Sequence, residues 1–366
     1  MPWAVIRHQS RAIQQLLSTV QMDRQAHALI FSGLSGVGKR LCAYELASLL
    51  LCDTPRTGNL SEGCGVCPPC KLVDAQTHPD IHRIHRQLKD YHPNSAVRSR
   101  KATVLSVDVV REFLLEKACS RPSMGRGKVF IVEDAQLISP QAQNALLKTL
   151  EEPPADTTII LIDDGGRALL PTTRSRCQTI RFRPLPDSFI VERLADVGVV
   201  PEQATCWARI AQGSLGMALM FAASSHYQAK REWIEQLATA GSQDPLNGSA
   251  WAIGWAKEME EMFRGQEAQR SAEDANRTAL LWILEVASLA FRDALAMCTG
   301  AQVPLVHAEQ GDRITELANQ MGEDGCIAAI RAVNDAATQI RANGNTTLTL
   351  DNFMLECAVC CQRTNA

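Results

Sequence analysis

Gly33-Leu34-Ser35-Gly36-Val37-Gly38-Lys39 sets three glycines and a lysine at the spacing of a phosphate loop. Glycines let successive backbone N–H groups wrap an anion, the following helix presents the positive end of its dipole, and the lysine adds a full charge. The next position takes Ser or Thr where Mg2+ is ligated, but here it is Arg40, a cation with no acceptor. Magnesium ligation is therefore compromised, and metal-assisted hydrolysis with it. Whether Lys39 still holds a nucleotide is left open by these residues. A second acidic element, Glu133-Asp134 at the end of VFIVED, carries its carboxylates in the order opposite to the usual Asp then Glu. Each is displaced by about one methylene, an error that can cost ~10²-fold in rate. The plainer alternative is that the pair caps the following turn.

Cys52, Cys64, Cys67 and Cys70 read C-x11-C-x2-C-x2-C, with Gly63, Gly65 and two prolines among them to allow tight turns. Four thiolates at this spacing point to tetrahedral Zn2+ with no open position for water, a structural site that ties a loop to the end of the helix after the phosphate loop. The alternative is a set of reduced thiols without metal. Cys357, Cys360 and Cys361 lie in a helical pattern with no turn nearby and read as packing.

The elements that must position these residues are legible in part. The apolar run 28–32 (ALIFS) precedes the phosphate loop, helical spacing follows over 41–51, KVFIV at 128–132 leads to the acidic pair and an amphipathic stretch at 140–152, and TTIILI at 157–162 comes next. Strands apolar throughout and alternating with helices indicate a parallel sheet covered on both faces, so the first half is α/β. Residues 86–103 are polar, contain Pro93 and read as an exposed loop. From Asp187 onward the pattern is helical, with boundaries at the 184–186 turn and near Ser224 and Ser225. The longest greasy stretch, 279–297, is interrupted by Glu285, Arg292 and Asp293 and reads as a core helix, not a membrane span.

The 366 residues suffice for two or three domains, and 46% apolar with 21% charged residues is an ordinary globular composition. Lys and Arg total 37 against 40 Asp and Glu, a net charge of −3, which excludes a protein that coats DNA by charge alone. Thirteen cysteines without a secretory pattern at the N-terminus lead us to expect a cytoplasmic chain with metal ligation in place of disulfides.

With these residues in hand, the chain resembles the clamp-loader branch of the AAA+ family, from the bacterial DNA polymerase III holoenzyme. The resemblance covers nearly the whole length. It is carried by the phosphate loop, the four cysteines, Thr77-His78-Pro79-Asp80, NALLKTLEEPP at 144–154, Ser175-Arg176-Cys177 and the tail NGNTTLTLDNFML at 343–355. It implies an AAA+ domain over 1–184 with the zinc module at 52–70 inserted, a small helical lid over 185–225 and an all-α collar over 226–366 that oligomerises. It also implies that Arg176 is an arginine finger reaching the γ-phosphate of ATP on a neighbouring subunit, where a guanidinium in trans stabilises charge on the transferred phosphoryl group. The plain alternative is an ordinary surface arginine.

Four departures separate the chain from the family's motor subunits, gamma and tau. These are Arg40, the Glu133-Asp134 order, an acidic residue (Asp163 or Asp164) at the sensor position after the third strand, and Gly216 in GSLGMAL where the motors carry an arginine. The finger is kept while the chain's own site decays. The expectation is a non-hydrolysing stator that partners gamma/tau and delta subunits in a hetero-pentamer and acts on the sliding clamp, meeting primed DNA through the complex. Rival readings are an active AAA+ motor and a zinc-dependent adaptor outside replication. Any nucleotidyltransferase label belongs to the holoenzyme, because no polymerase carboxylate constellation is found here.

Overall fold

The computed structural model describes residues 3–21, 27–56, 58, 61–100, 102–165, 169–222, 226–266 and 271–362. Two compact units divide between Pro186 and Asp187. The first unit holds five strands, β1 Ala28–Ser32, β2 Ile81–Ile84, β3 Lys128–Val132, β4 Thr157–Asp163 and β5 Gln178–Arg181. They lie in the order β2-β3-β4-β1-β5, and every pairing is parallel. Its helices are α1 Ser10–Gln21, α2 Lys39–Leu51, α3 Pro68–Asp74, α4 Ser95–Arg98, α5 Val107–Val110, α6 Glu116–Cys119, α7 Pro140–Glu151 and α8 Pro171–Arg174.

The three inner strands are the ones built around runs of three or four consecutive apolar residues. Every residue of β3 and β4 is buried, and in β1 only Ser32 is partly exposed. Phe130, Val132, Ile159 and Leu161 pack with Val110, Leu114, Leu146 and Leu150 from the helices on one face, and each such side chain contributes about 1.5–3 kcal/mol on burial. The edge strands β2 and β5 are four residues long and half exposed, which is why IHRI and QTIR carry no strong strand signal. Register matters more than length here. Pairing Ser32 with Asp163 and Val132 with Leu161 brings the carboxyl ends of β1, β3 and β4 to one edge, the edge where open parallel sheets place their ligands.

Residues 86–103 are not a featureless loop. A 3-10 turn at Arg86–Tyr91 and α4 occupy them, with Arg86, Gln87 and Val97 buried as anchors. Three inward-pointing residues in a polar run leave no period to read, so the sequence pattern missed them.

The second unit, Asp187–Ala366, is helical throughout its described residues: α9 Asp187–Asp196, α10 Pro201–Ile210, α11 Leu215–Ala222, α12 His226–Ala238, α13 Pro245–Gln266, α14 Ala272–Thr299, α15 Gly311–Arg341 and α16 Thr346–Gln362. The proposed boundary at Ser224 and Ser225 falls outside the described residues. Phe221 stacks on Trp282 with ring centroids 3.8 Å apart, and Trp207 and Trp255 close on the same group. Cys357, Cys360 and Cys361 are buried on α16. Among the described residues no helix is long and apolar enough to cross a membrane.

Candidate functional site

The phosphate loop runs from the end of β1 into α2. Gly33 has a positive φ, and a Cβ there would stand 2.5 Å from the carbonyl oxygen of Phe182, so only glycine fits where β1 leaves the sheet. Gly36 and Gly38 also take positive φ, and Gly38 is the N-cap from which α2 begins. This backbone is that of an anion cradle, but its lysine points inward. Lys39 is 3% exposed, and its Nζ donates to the carbonyl oxygens of Gly33 and Leu34 at 2.6 Å each and to Asp164 Oδ1 at 2.7 Å. An ammonium has three N–H groups. All three are engaged inside the protein, and a carboxylate stands against the charge a phosphate would need.

Asp164 reaches Lys39 because β4 ends beside β1. Gln136, just past the acidic pair, holds it there: Gln136 Nε2 donates to Asp164 Oδ2 at 3.5 Å, and the Asp164 N–H donates to Gln136 Oε1 at 3.3 Å. The neighbouring Asp163 is fully buried and accepts from the Ser32 hydroxyl at 3.2 Å, and burial raises its carboxyl above the ordinary carboxylate range. Of the two acidic residues at the sensor position, Asp164 is therefore the one that faces the loop.

Glu133 is neutralised from the other side. Arg83 on β2 forks onto it, Nε to Oε1 and Nη2 to Oε2 at 3.0 Å each, and Arg40 Nη1 lies 3.8 Å from Oε1. Bidentate pairing of this kind is the strong form of an arginine–carboxylate contact. Asp134 takes a left-handed backbone at the start of a 3-10 turn, with no side-chain bond capping that turn. The capping alternative is not what the geometry shows for the side chains. The phosphate loop and acidic element are thus brought together, each with its charge met by a residue of the same chain.

Arg176 follows α8 and packs against α7. Its Nε donates to Glu151 Oε1 at 2.5 Å, Nη2 pairs with the same oxygen, and Nη1 donates to the Thr172 carbonyl at 2.9 Å. Gln143, almost fully buried at the other end of α7, accepts from Leu170 N–H at 2.7 Å and from the Thr173 hydroxyl at 3.2 Å. One helix therefore fixes the segment that carries the arginine at both ends. Gln143 carries no sequence signal for this role, and Glu151, eight residues on, lies in the NALLKTLEEPP run that supports the resemblance without being assigned a part by it.

The four cysteines converge. Cys52 is the C-cap of α2, Cys67 the N-cap of α3, and Cys70 lies in the first turn of α3. Their sulfurs all lie within 4.8 Å of one another. Four thiolates about 2.3 Å from one tetrahedral ion stand about 3.8 Å apart, and Cys52 Sγ and Cys67 Sγ are 3.8 Å apart. Backbone N–H groups of Cys64 and Cys67 donate to Cys52 Sγ and Cys64 Sγ at 3.2 and 3.3 Å. Backbone donors from Val66 and Cys67 lower the Cys64 thiol to about 6, whereas burial raises the Cys52 thiol and pushes Cys70 up to about 12, so the case for a metal rests on the convergence of the four sulfurs. The residues fit a metal ion. In Thr77-His78-Pro79-Asp80, by contrast, the buried Asp80 accepts from Ser123 and Met124 N–H at 2.6 and 2.8 Å, so its part is structural.

A family model described as DNA polymerase III, delta subunit, matches residues 8–186. The protein of Escherichia coli K12 named DNA polymerase III subunit delta' is 37% identical over 226 residues, which are 62% of this chain and 63% of that one. Its namesake in Bacillus subtilis 168 is 25% identical over 348 residues, 95% of each chain. Over these stretches the chain is similar to the DNA polymerase III delta-prime subunits. The tau subunit of Escherichia coli K12 is 31% identical over 217 residues, 58% of this chain and 31% of that one. The family model's match spans the phosphate loop, the cysteines and Arg176, and the five-stranded parallel sheet has the α/β form expected from the sequence.

Proposed function

We propose that this chain is the non-hydrolysing stator of a bacterial clamp loader, the complex that opens the sliding clamp and places it on primed DNA. The observation that supports it is Lys39, whose three donors are met by Gly33, Leu34 and Asp164. A chain that neutralises its own phosphate loop keeps the AAA+ architecture without needing ATP to complete it. Arg176 is the outward counterpart, an arginine finger offered to ATP on a neighbouring gamma/tau motor, where a guanidinium in trans is worth ~10³–10⁵ in rate in comparable GTPases.

The remaining parts follow from this reading. Residues 1–184 are the AAA+ domain, 185–225 the lid and 226–366 the collar that joins gamma/tau and delta subunits in a hetero-pentamer. Cys52, Cys64, Cys67 and Cys70 hold a structural Zn2+, whose chemistry is to tie the 52–67 loop to α2 and α3. Four protein ligands leave no position for water, so it takes no part in turnover. DNA is met through the complex, in the cytoplasm, since a net charge of −3 gives this chain little hold of its own. Steady-state ATP hydrolysis by the purified chain tests the first half, with Lys39→Ala as control for contamination. No turnover above that control is expected, and turnover that Lys39→Ala abolishes overturns the stator. For the second half, Arg176→Ala in a reconstituted complex lowers clamp-loading and ATPase rates; unchanged rates remove the finger.

A further inference from the structure

The carboxylate that meets Arg176 sits where helix electrostatics disfavour it. Glu151 is the last residue of α7, at the end where unpaired carbonyls already present negative charge. Glu152 is the C-cap, and Pro153 and Pro154 after it prevent the helix from continuing. A local rule broken in this way calls for a compensating partner, and that partner is Arg176. Both side chains reach solvent, Arg176 at 31% and Glu151 at 47% exposure, so the pair is not an anchor of the core.

We propose that Glu151 is the positioning residue for Arg176, clamping its guanidinium so that two N–H groups face outward toward a phosphoryl group on a neighbouring subunit. The donor count carries the argument. A guanidinium has five N–H groups in a rigid plane. Glu151 Oε1 takes Nε and one N–H of Nη2, and the Thr172 carbonyl takes one N–H of Nη1. One N–H remains on each terminal nitrogen, the pair that suits bidentate contact with phosphoryl oxygens. Two of the side chain's three contacts are ionic, and the third is to the backbone of α8, which Gln143 ties to α7 through Leu170 and Thr173. An exposed arginine otherwise samples many rotamers, and freezing it before the neighbour arrives lowers the ordering cost of the encounter. This inference rests on the reading of Arg176 as the finger.

The test is a reconstituted clamp loader carrying wild type, Arg176→Ala, Glu151→Ala or Glu151→Gln. DNA-stimulated ATPase is read as kcat and KM, and the unfolding midpoint of each purified chain is measured alongside. Misplacing a catalytic group by about 1 Å can cost ~10²-fold. Glu151→Ala is therefore expected to reproduce most of the Arg176→Ala loss in kcat, about tenfold or more, with KM for ATP and the unfolding midpoint unchanged. Glu151→Gln keeps an acceptor oxygen for Nε and recovers the greater part of the rate. If Arg176→Ala is impaired and Glu151→Ala matches wild type, Glu151 plays no positioning part and the inference fails alone. Turnover raised by Glu151→Ala also overturns it, since the carboxylate would then restrain the finger. If Arg176→Ala itself matches wild type, the finger reading fails and takes this inference with it.

Discussion

Lys39→Ala separates a self-contained phosphate loop from one built for a ligand. Where the lysine serves a nucleotide, its loss weakens binding and leaves the fold nearly as stable. In this chain the ammonium is buried and bonded to two loop carbonyls and to Asp164, all within 2.7 Å. Hydrogen bonds to charged groups contribute about 1.5–3 kcal/mol each. After truncation, water reaches the carbonyls, and Asp164, about one third exposed at 32%, rehydrates readily, so the three together discount to about 3 kcal/mol. For the unit of residues 1–186, at about 2–4 °C per kcal/mol, the midpoint falls by about 6–12 °C. Urea and thermal unfolding of the full chain, followed by near-ultraviolet circular dichroism, measure this directly. A second arm adds ATP with Mg2+: a ligand present at 100 times its Kd stabilises by about 2.7 kcal/mol, a shift of about 5–10 °C at the same conversion. None is expected for the wild type. An unaltered midpoint in Lys39→Ala, together with wild type stabilised by ATP, refutes the argument, because Lys39 would then be free for a phosphate.

Metal analysis of the purified protein should find about one zinc per chain, and Cys64→Ser or prolonged chelation should release it and lower the unfolding midpoint of the first unit; zinc well below that level in carefully purified protein leaves the cluster as four thiols. In the second unit, Lys230 is fully buried and its Nζ donates to Glu309, which also accepts from Cys206 at 3.1 Å. Burial raises the Glu309 carboxyl, but Lys230 outweighs it and the net shift is downward. A carboxyl lowered in the fold stabilises at pH values above its unfolded value of about 4.3, and that contribution is lost as pH falls through the lower folded value. Glu309→Gln should therefore flatten the loss of stability below about pH 4.3, and at pH 7 it should cost about 3–5 kcal/mol by leaving the ammonium unpaired. An acid limb identical to wild type shows that other carboxylates govern it.

The chemistry-bearing residues and the architecture were legible because each rests on short-range pattern. Glycines and a lysine at fixed spacing, four cysteines within nineteen residues, and apolar runs at 28–32, 128–132 and 157–162 are properties of contiguous sequence. The resulting fold places β1, β3 and β4 as the buried inner strands. Arg40 and the transposed Glu133-Asp134 are the sequence features behind the expectation that metal-assisted hydrolysis is compromised. Which charge answers which is a different matter. Asp164 meets Lys39 from 125 residues away, Arg83 forks onto Glu133 from 50 away, and Glu151 holds Arg176 from 25 away. No periodicity relates such pairs. They depend on strand order and register, which bring β4 beside β1 and β2 beside β3, and on α7 lying against the segment after β4. The edge strands and the anchors within 86–103 were hidden for a related reason: their burial is set by what packs on them and not by their own composition. Sequence alone therefore determined which groups are present and what they are capable of. Only the tertiary structure decided that the phosphate loop answers its own charge, because electrostatic pairing acts over a few ångströms of space whatever the distance along the chain.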